Sequence, residues 1–263
     1  MSDRGVQDLV LRALADAPFR ASREWRDREL VDAGRLERFA RFLARHFYYE
    51  RIVHFFKYSR SLAAVTGRRP EAVLRSAGFD ALLATAVLGS RETARDVAGT
   101  VVSHVQAATP ARPIPYLSDL LRYEQAMMIA EAGPRVWRDA GPAENTGKGE
   151  TGKGRGRSPE LVEGTVLLEL AYDLPAVLPK LLEGWTEVPQ APERRVKLLV
   201  ARSPHGRVAV ARADAAVASV VELADGRKTL ADLARQAGLR AADLEAALAG
   251  LADLGAVRFA TGS

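Results

Sequence analysis

The sequence predicts a mainly α protein: an all-helical domain over residues 1–140, a Gly/Lys/Arg linker over 141–162, and an α+β, winged-helix-like domain over 163–263. Three observations predict it. Before residue 140, apolar residues recur at the spacing of one helix face. Residues 141–159, GPAENTGKGETGKGRGRSP, carry no large apolar side chain and cannot bury a core. Beyond them, short apolar and alternating runs come first and helical runs follow.

Val6, Leu9, Val10 and Ala13 mark one face of a first helix, which Pro18 closes. A second helix follows Gly34 and runs on through RLERFARFLARHFYYERIVHFFKYSRSL, residues 35–62. Pro70 can open a third, at a position where its missing N–H costs nothing. Ser90 is an N-cap for a helix carrying Ala94, Val97, Val101 and Val105. The turn ATPARPIP leads into a helix over 116–132, punctuated by Gly133-Pro134. In the linker, TGKG at Thr146 and Thr151 imitates a phosphate-binding loop. Gly154 stands where a magnesium-binding hydroxyl belongs and no apolar strand precedes, so the segment reads as a linker.

After the linker, TVLLELAY at 165–172 reads as a buried strand, and 174–182 as one or two helical turns. Residues 196–201 and 207–211 alternate around SPHG as a hairpin, and 213–223 is helical. Thr229 caps a helix with Leu230, Leu233 and Ala234, which Gly238 stops. Leu244, Leu248 and Leu251 face one side of a last helix. Gly255 ends it, and 256–259 is strand-like.

Composition excludes several chemistries. With no cysteine there are no disulfides, zinc–thiolate sites or cysteine nucleophiles. Asp3, Arg4 and Asp8 argue against a signal peptide, and no apolar run approaches the ~20 residues of a membrane span. A cytoplasmic protein is expected. The net charge of +5 invites a nucleic-acid partner, but signs mix closely, as at residues 23–29. The last helix, over 241–255, carries Asp243, Glu245 and Asp253 and no basic residue. A DNA-reading helix would need the opposite charge.

No catalytic constellation emerges. There is no strand-to-helix G-x-S-x-G turn, and His104 and His205 fall in different domains. His46, Glu50 and His54 share a helix face, but the two histidines are about 12 Å apart along the axis and cannot share an ion. No metal site is expected. Residues 39–58 collect five of the eight phenylalanines and three of the six tyrosines. Leu36, Phe39, Leu43 and Phe47 read as core. Tyr48, Tyr49, Phe55, Phe56 and Tyr58, interleaved with Arg41, Arg45, Arg51, Lys57 and Arg60, need a very wide core face or a partner. Aromatic and arginine residues suit protein interfaces and also stack on single-stranded nucleic acid. The plain alternative is an aromatic core with a solvated basic rim. In the helix over 116–132, Leu117, Leu120, Leu121, Met127 and Met128 supply a core stripe, while Asp119, Arg122 and Glu124 are exposed or pair locally. Met127 and Met128 fill core gaps or line an adaptable surface.

The order of RFLARHFYYERIVHFFKYSR, PYLSDLLRYEQA, LLELAYDLPAVL and DGRKTLADLARQAG…LADLGAVRF resembles a known family. It is that of the accessory partner proteins of multinuclear non-haem iron oxidative enzymes, which modify ribosomally made peptides. Known members partner the methanobactin and thiaglutamate peptide-modifying enzymes. The last motif resembles the peptide-recognition domain of PqqD-like proteins. The resemblance covers most of both halves and excludes the linker.

It implies a non-catalytic subunit that binds the leader of a precursor peptide and presents it to an iron enzyme in a heterodimer. The leader adds as a strand to a sheet edge, here Arg207, Val208, Ala209, Val210 and Ala211, against a groove wall of Leu244, Ala247 and Leu251. Arg194, Arg195, Lys197, Arg202, Arg207 and Arg212 suit an acidic leader. Tyr48, Tyr49, Phe55, Tyr58, Arg60, Tyr116 and Tyr123 are the expected enzyme interface. Iron belongs to the partner, and this chain is expected to hold no cofactor. The competing readings are a winged-helix nucleic-acid-binding transcriptional regulator and a structural adaptor without a peptide groove.

Overall fold

A computed structural model describes residues 3–28, 32–132 and 158–260. The protein is mainly helical, with small antiparallel sheets in its C-terminal half. The described residues divide into two compact units, one within Met1–Ala132 and Tyr172–Pro192, the other within Gly133–Ala171 and Glu193–Ser263.

The first unit contains α1 (Asp3–Ala15), α2 (Ala17–Ala21), α3 (Arg23–Arg26), α4 (Ala33–Phe55), α5 (Lys57–Ser61), α6 (Ala63–Thr66), α7 (Ala77–Leu83), α8 (Arg91–Gln106), α9 (Leu117–Glu131) and α10 (Leu178–Leu181). Side-chain caps set many of the starts. Asp16 accepts from the Phe19 N–H, Ser22 from Trp25, Asp32 from Arg35, Ser76 from Phe79 and Ser90 from Thr93. Pro70 opens a 3₁₀ helix rather than an α-helix. Ala13, Phe19 and Trp25 form one small core with Leu9 and Leu36. α8 buries Ala94, Val97, Ala98, Val101 and Val105 and packs on α9.

The single helix expected over 35–62 is broken. α4 ends at Phe55, Phe56 sits at φ −97° and ψ 32°, and α5 begins at Lys57. The cause is Glu124 on α9. Its Oε1 accepts the Tyr58 and Ser59 N–H groups at 2.8 and 3.1 Å, so those donors leave the α4 ladder.

The second unit holds β1 (Ser158–Leu161), β2 (Val166–Leu170), β3 (Val196–Arg202), β4 (Val208–Arg212), α11 (Ala215–Leu223), α12 (Leu230–Ala237), α13 (Ala241–Asp253) and β5 (Val257–Ala260). β2, β3 and β4 form an antiparallel sheet in that order, and β1 pairs with β5. Leu199, Ala201, Val220, Val221, Leu233, Leu244, Leu248, Leu251 and Val257 share its core. At the end of α13, Gly255 has φ +74°, and a Cβ there would collide with the Arg202 carbonyl oxygen of β3.

Two boundaries differ from expectation. Ser158–Leu161, expected in the linker, is a strand. Besides β5 on one side, it meets the end of α11 on the other: Leu161 donates to Ala224 O at 2.9 Å, and Gly226 donates to Pro159 O at 3.0 Å. Backbone pairing, not apolar content, makes this strand. The rest of the linker expectation, with its phosphate-loop-like glycines, lies outside the described residues.

The second difference is Tyr172–Pro192, expected within the C-terminal domain but part of the helical unit. Asp119 Oδ2 accepts the Tyr172 N–H at 3.1 Å, and the Tyr116 hydroxyl donates to Pro189 O at 2.8 Å. The Tyr116 and Tyr172 rings meet edge to face, and Asp173 N–H bonds Pro192 O at 2.9 Å across the neck of the excursion.

Candidate functional site

β4 has β3 on one side and no strand on the other among the described residues. Its register pairs Ala209 with Ala201 and Ala211 with Leu199. Ser203 N–H bonds Arg207 O, and Ala213 N–H bonds Lys197 O. Because hydrogen-bonded pairs alternate along an antiparallel ladder, residues 207, 209, 211 and 213 point their backbone groups at β3. Val208, Val210 and Arg212 therefore turn theirs to the open edge. Val210 is 36 % exposed.

The opposite edge, β2, carries Glu169, whose carboxylate pairs with Lys197 at 2.7 Å. Glu222 approaches the same ammonium at 3.8 Å, and the hydrogen bond that Lys197 donates to Glu169 holds the Lys197 pKa above its ordinary value. β4 is flanked instead by the exposed Arg207 and Arg212. The β2 edge carries a carboxylate neutralised by Lys197, whereas the β4 edge is bordered by arginines.

The groove wall is placed differently. Leu244 and Leu251 are 2 % and 1 % exposed and belong to the closed core that α13 makes with its neighbours, while Ala247 is half-buried. The exposed face of α13 is Ala242, Asp243, Glu245, Ala246, Ala249 and Asp253. An i, i+4, i+7 leucine row reads identically as core or groove. Here it packs inward, because α11, α12 and β5 cover it.

The enzyme-interface expectation is corrected in four places. Tyr48, Phe55, Tyr116 and Tyr123 are buried in the core, leaving Tyr49 and Arg60 exposed and Tyr58 half-buried. Burial pushes the phenol pKa of both Tyr116 and Tyr123 up to about 12. Conversely Phe39, expected in the core, is about half exposed, and Phe42 more so. His46, Glu50 and His54 are exposed. His46 stacks on Phe42 and His54 meets Phe55 edge to face. Among the described residues no group of three or more His, Asp or Glu side chains could hold a metal ion. Nor is any described helix long and apolar enough to cross a membrane.

Read from the sequence, Asp119, Arg122 and Glu124 are exposed or pair locally; the structure instead buries Asp119 and Glu124, and the larger correction is Glu124. It is fully buried, and burial raises its pKa to about 8 against the pull of its Ser59 and Tyr58 hydrogen bonds. Its Oε2 has no hydrogen-bond partner. The one available signal was a carboxylate flanked by Leu120, Leu121, Tyr123 and Met128, on a helix that also carries Asp119, Arg122 and Glu131.

The chain matches no known protein-family model and no curated protein.

Proposed function

We propose that the protein is a non-catalytic peptide-binding subunit, which captures the leader of a ribosomally made precursor peptide and presents it to a multinuclear iron oxidative enzyme. The observation that carries the reading is the open, arginine-flanked edge of β4. A leader in extended form adds beside β4 through the N–H and C=O groups of Val208 and Val210, and its acidic side chains meet Arg207 and Arg212. Three helices followed by β5 have the outline of a winged helix. Between α11 and α12, Asp225 bridges Glu160 of β1, and this strand contact beside the helices supports the winged-helix reading. The acid on the exposed face of α13 favours a peptide over DNA as partner. The iron-enzyme half of the proposal is supported by the order of sequence motifs in both units.

The test is fluorescence anisotropy with a labelled leader from a precursor encoded beside an iron oxidase, together with co-purification of that oxidase. Val210→Pro removes an edge donor without touching the β3 ladder and is expected to weaken leader binding at least about tenfold. Arg207→Glu is expected to weaken it while the oxidase still co-purifies. Salt-sensitive DNA binding with no leader binding would overturn the proposal and favour the regulator.

A further inference from the structure

α4 has two apolar faces, and the peptide edge accounts for neither. One, Ala40, Ala44, Tyr48, Ile52 and Phe55, is buried within the helical unit. The other is Phe39, Phe42, His46, Tyr49 and Val53, recurring at intervals of three and four residues. That 3.5-residue period keeps a seam aligned along a second helix. The seam faces outward: Phe39 is 49 %, Phe42 62 % and Tyr49 39 % exposed. The Phe42 and His46 rings stack with centroids 6.5 Å apart and planes 6° apart, so the row is continuous. At 1.5 Å per residue it runs for about 21 Å. Near its first residue lies an open depression of ≈ 660 Å³ lined by Asp32, Arg35, Leu36, Arg38 and Phe39. Scattered exposed apolar residues are ordinary, but a row of aromatic rings is the mark of an interface.

Charge says what covers it. Arg38 and Arg45 stand immediately before Phe39 and His46, at the flanking positions of the heptad, and Arg35 lies one turn earlier. Arg45 bonds Leu74 O at 2.6 Å and also Asp80, and Arg41 bonds Glu37 at 2.8 Å. Arg35 and Arg38 have no ion-pair partner among the described residues. A second copy lying antiparallel would set this arginine edge against itself. A parallel copy would press His46 against its own equivalent. The antiparallel arrangement brings like charges together. In the parallel one Arg45, already paired with Asp80, would face Glu50 of the other flank, so the cations left without a partner among the described residues are Arg35 and Arg38, and an acidic helix edge complements these.

We propose that the outer face of α4 docks an amphipathic helix of another protein, one whose apolar stripe is flanked by acidic residues. The docking surface is separate from the β4 edge and does not rest on the peptide-reader assignment. The test uses the full chain and two synthetic helices of about three heptads with leucine at the seam positions, one flanked by Glu and the other by Lys. Anisotropy is expected to give the Glu peptide at least about tenfold tighter binding than the Lys peptide. Phe42→Asp, at the most exposed ring of the seam, should weaken the Glu peptide by a further factor of about ten with an unchanged thermal melt. Arg38→Glu should narrow or reverse the charge preference. Leader affinity at β4 should be the same in both variants. Equal binding of both peptides, or of neither, overturns the proposal. So does a wild-type dimer in sedimentation that Phe42→Asp turns into a monomer, since a second copy would then be the occupant.

Discussion

The two units are held together by different means. The helical unit takes polar side chains inside and uses them as anchors. Glu124 caps α5 from a neighbouring helix, Asp119 seats Tyr172, and Tyr116 bonds Pro189. The sheet-bearing unit keeps an apolar core, leaves its ion pairs at the rim, and relies on close backbone approach. Its pairs Arg240–Asp243, Lys228–Asp225 and Arg258–Glu160 are all exposed on at least one side, while Gly255 and Gly226 sit where a side chain would meet β3 or β1. The lesson is that one unit is vulnerable at buried polar atoms and the other at glycines.

Breaking that contrast begins with its largest effect. Gly255→Ala places a Cβ against the Arg202 carbonyl in a left-handed backbone conformation, and should cost about 3 kcal/mol or more in chemical denaturation. Glu124→Ala should cost about 2–5 kcal/mol, because two N–H donors lose their acceptor and a cavity opens. Glu124→Gln keeps an acceptor and separates shape from charge. With the folded pKa raised to about 8 from 4.5, the folded state holds its proton more tightly than the unfolded chain. That stabilisation is fully present below pH ~4.5 and is lost as pH rises to about 8. The Tm of the wild type relative to Glu124→Gln should therefore fall from pH 5 to pH 9, and a flat difference would remove the acid from the account.

Asp119→Ala should cost about 1–3 kcal/mol and raise amide exchange selectively over residues 172–192. The smallest effect is expected at Asp243→Ala. This residue's pKa is lowered by its hydrogen bond to Arg240, yet both groups lie in solvent, so the Tm should stay within error. A clear loss there would erase the distinction between the units.

The sequence made the apolar framework readable. The α8 face, the SPHG hairpin, the Thr229 cap and the Gly238 stop all stand where spacing and turn chemistry put them. What it concealed was non-local. The break at Phe56 is written on α9, in Glu124. β1 consists of SPEL, which has no strand pattern of its own and is a strand because 224–226 and β5 border it. Alternation places the hairpin, and the family resemblance places the candidate edge; among the described residues β4 pairs with β3 alone. The aromatic helix was harder, because phenylalanine and tyrosine are distributed to both faces of α4. Spacing finds two stripes but does not say which one the rest of the chain covers.

The route of residues 172–192 bears on how the chain can be divided. Adjacent antiparallel strands are usually joined by a tight turn, which makes their pairing local and rapid. Here the segment between β2 and β3 belongs to the helical unit, and its neck is closed from Asp173 to Pro192. Loop closure of that length is entropically unfavourable, and the seat on Asp119 and Tyr116 offsets it. The connection between β2 and β3 is therefore seated on residues that precede both strands in the sequence. A fragment beginning at residue 158 would carry this segment without its seat. The two units are therefore not consecutive stretches of chain: the connection between two strands of the one belongs to the other.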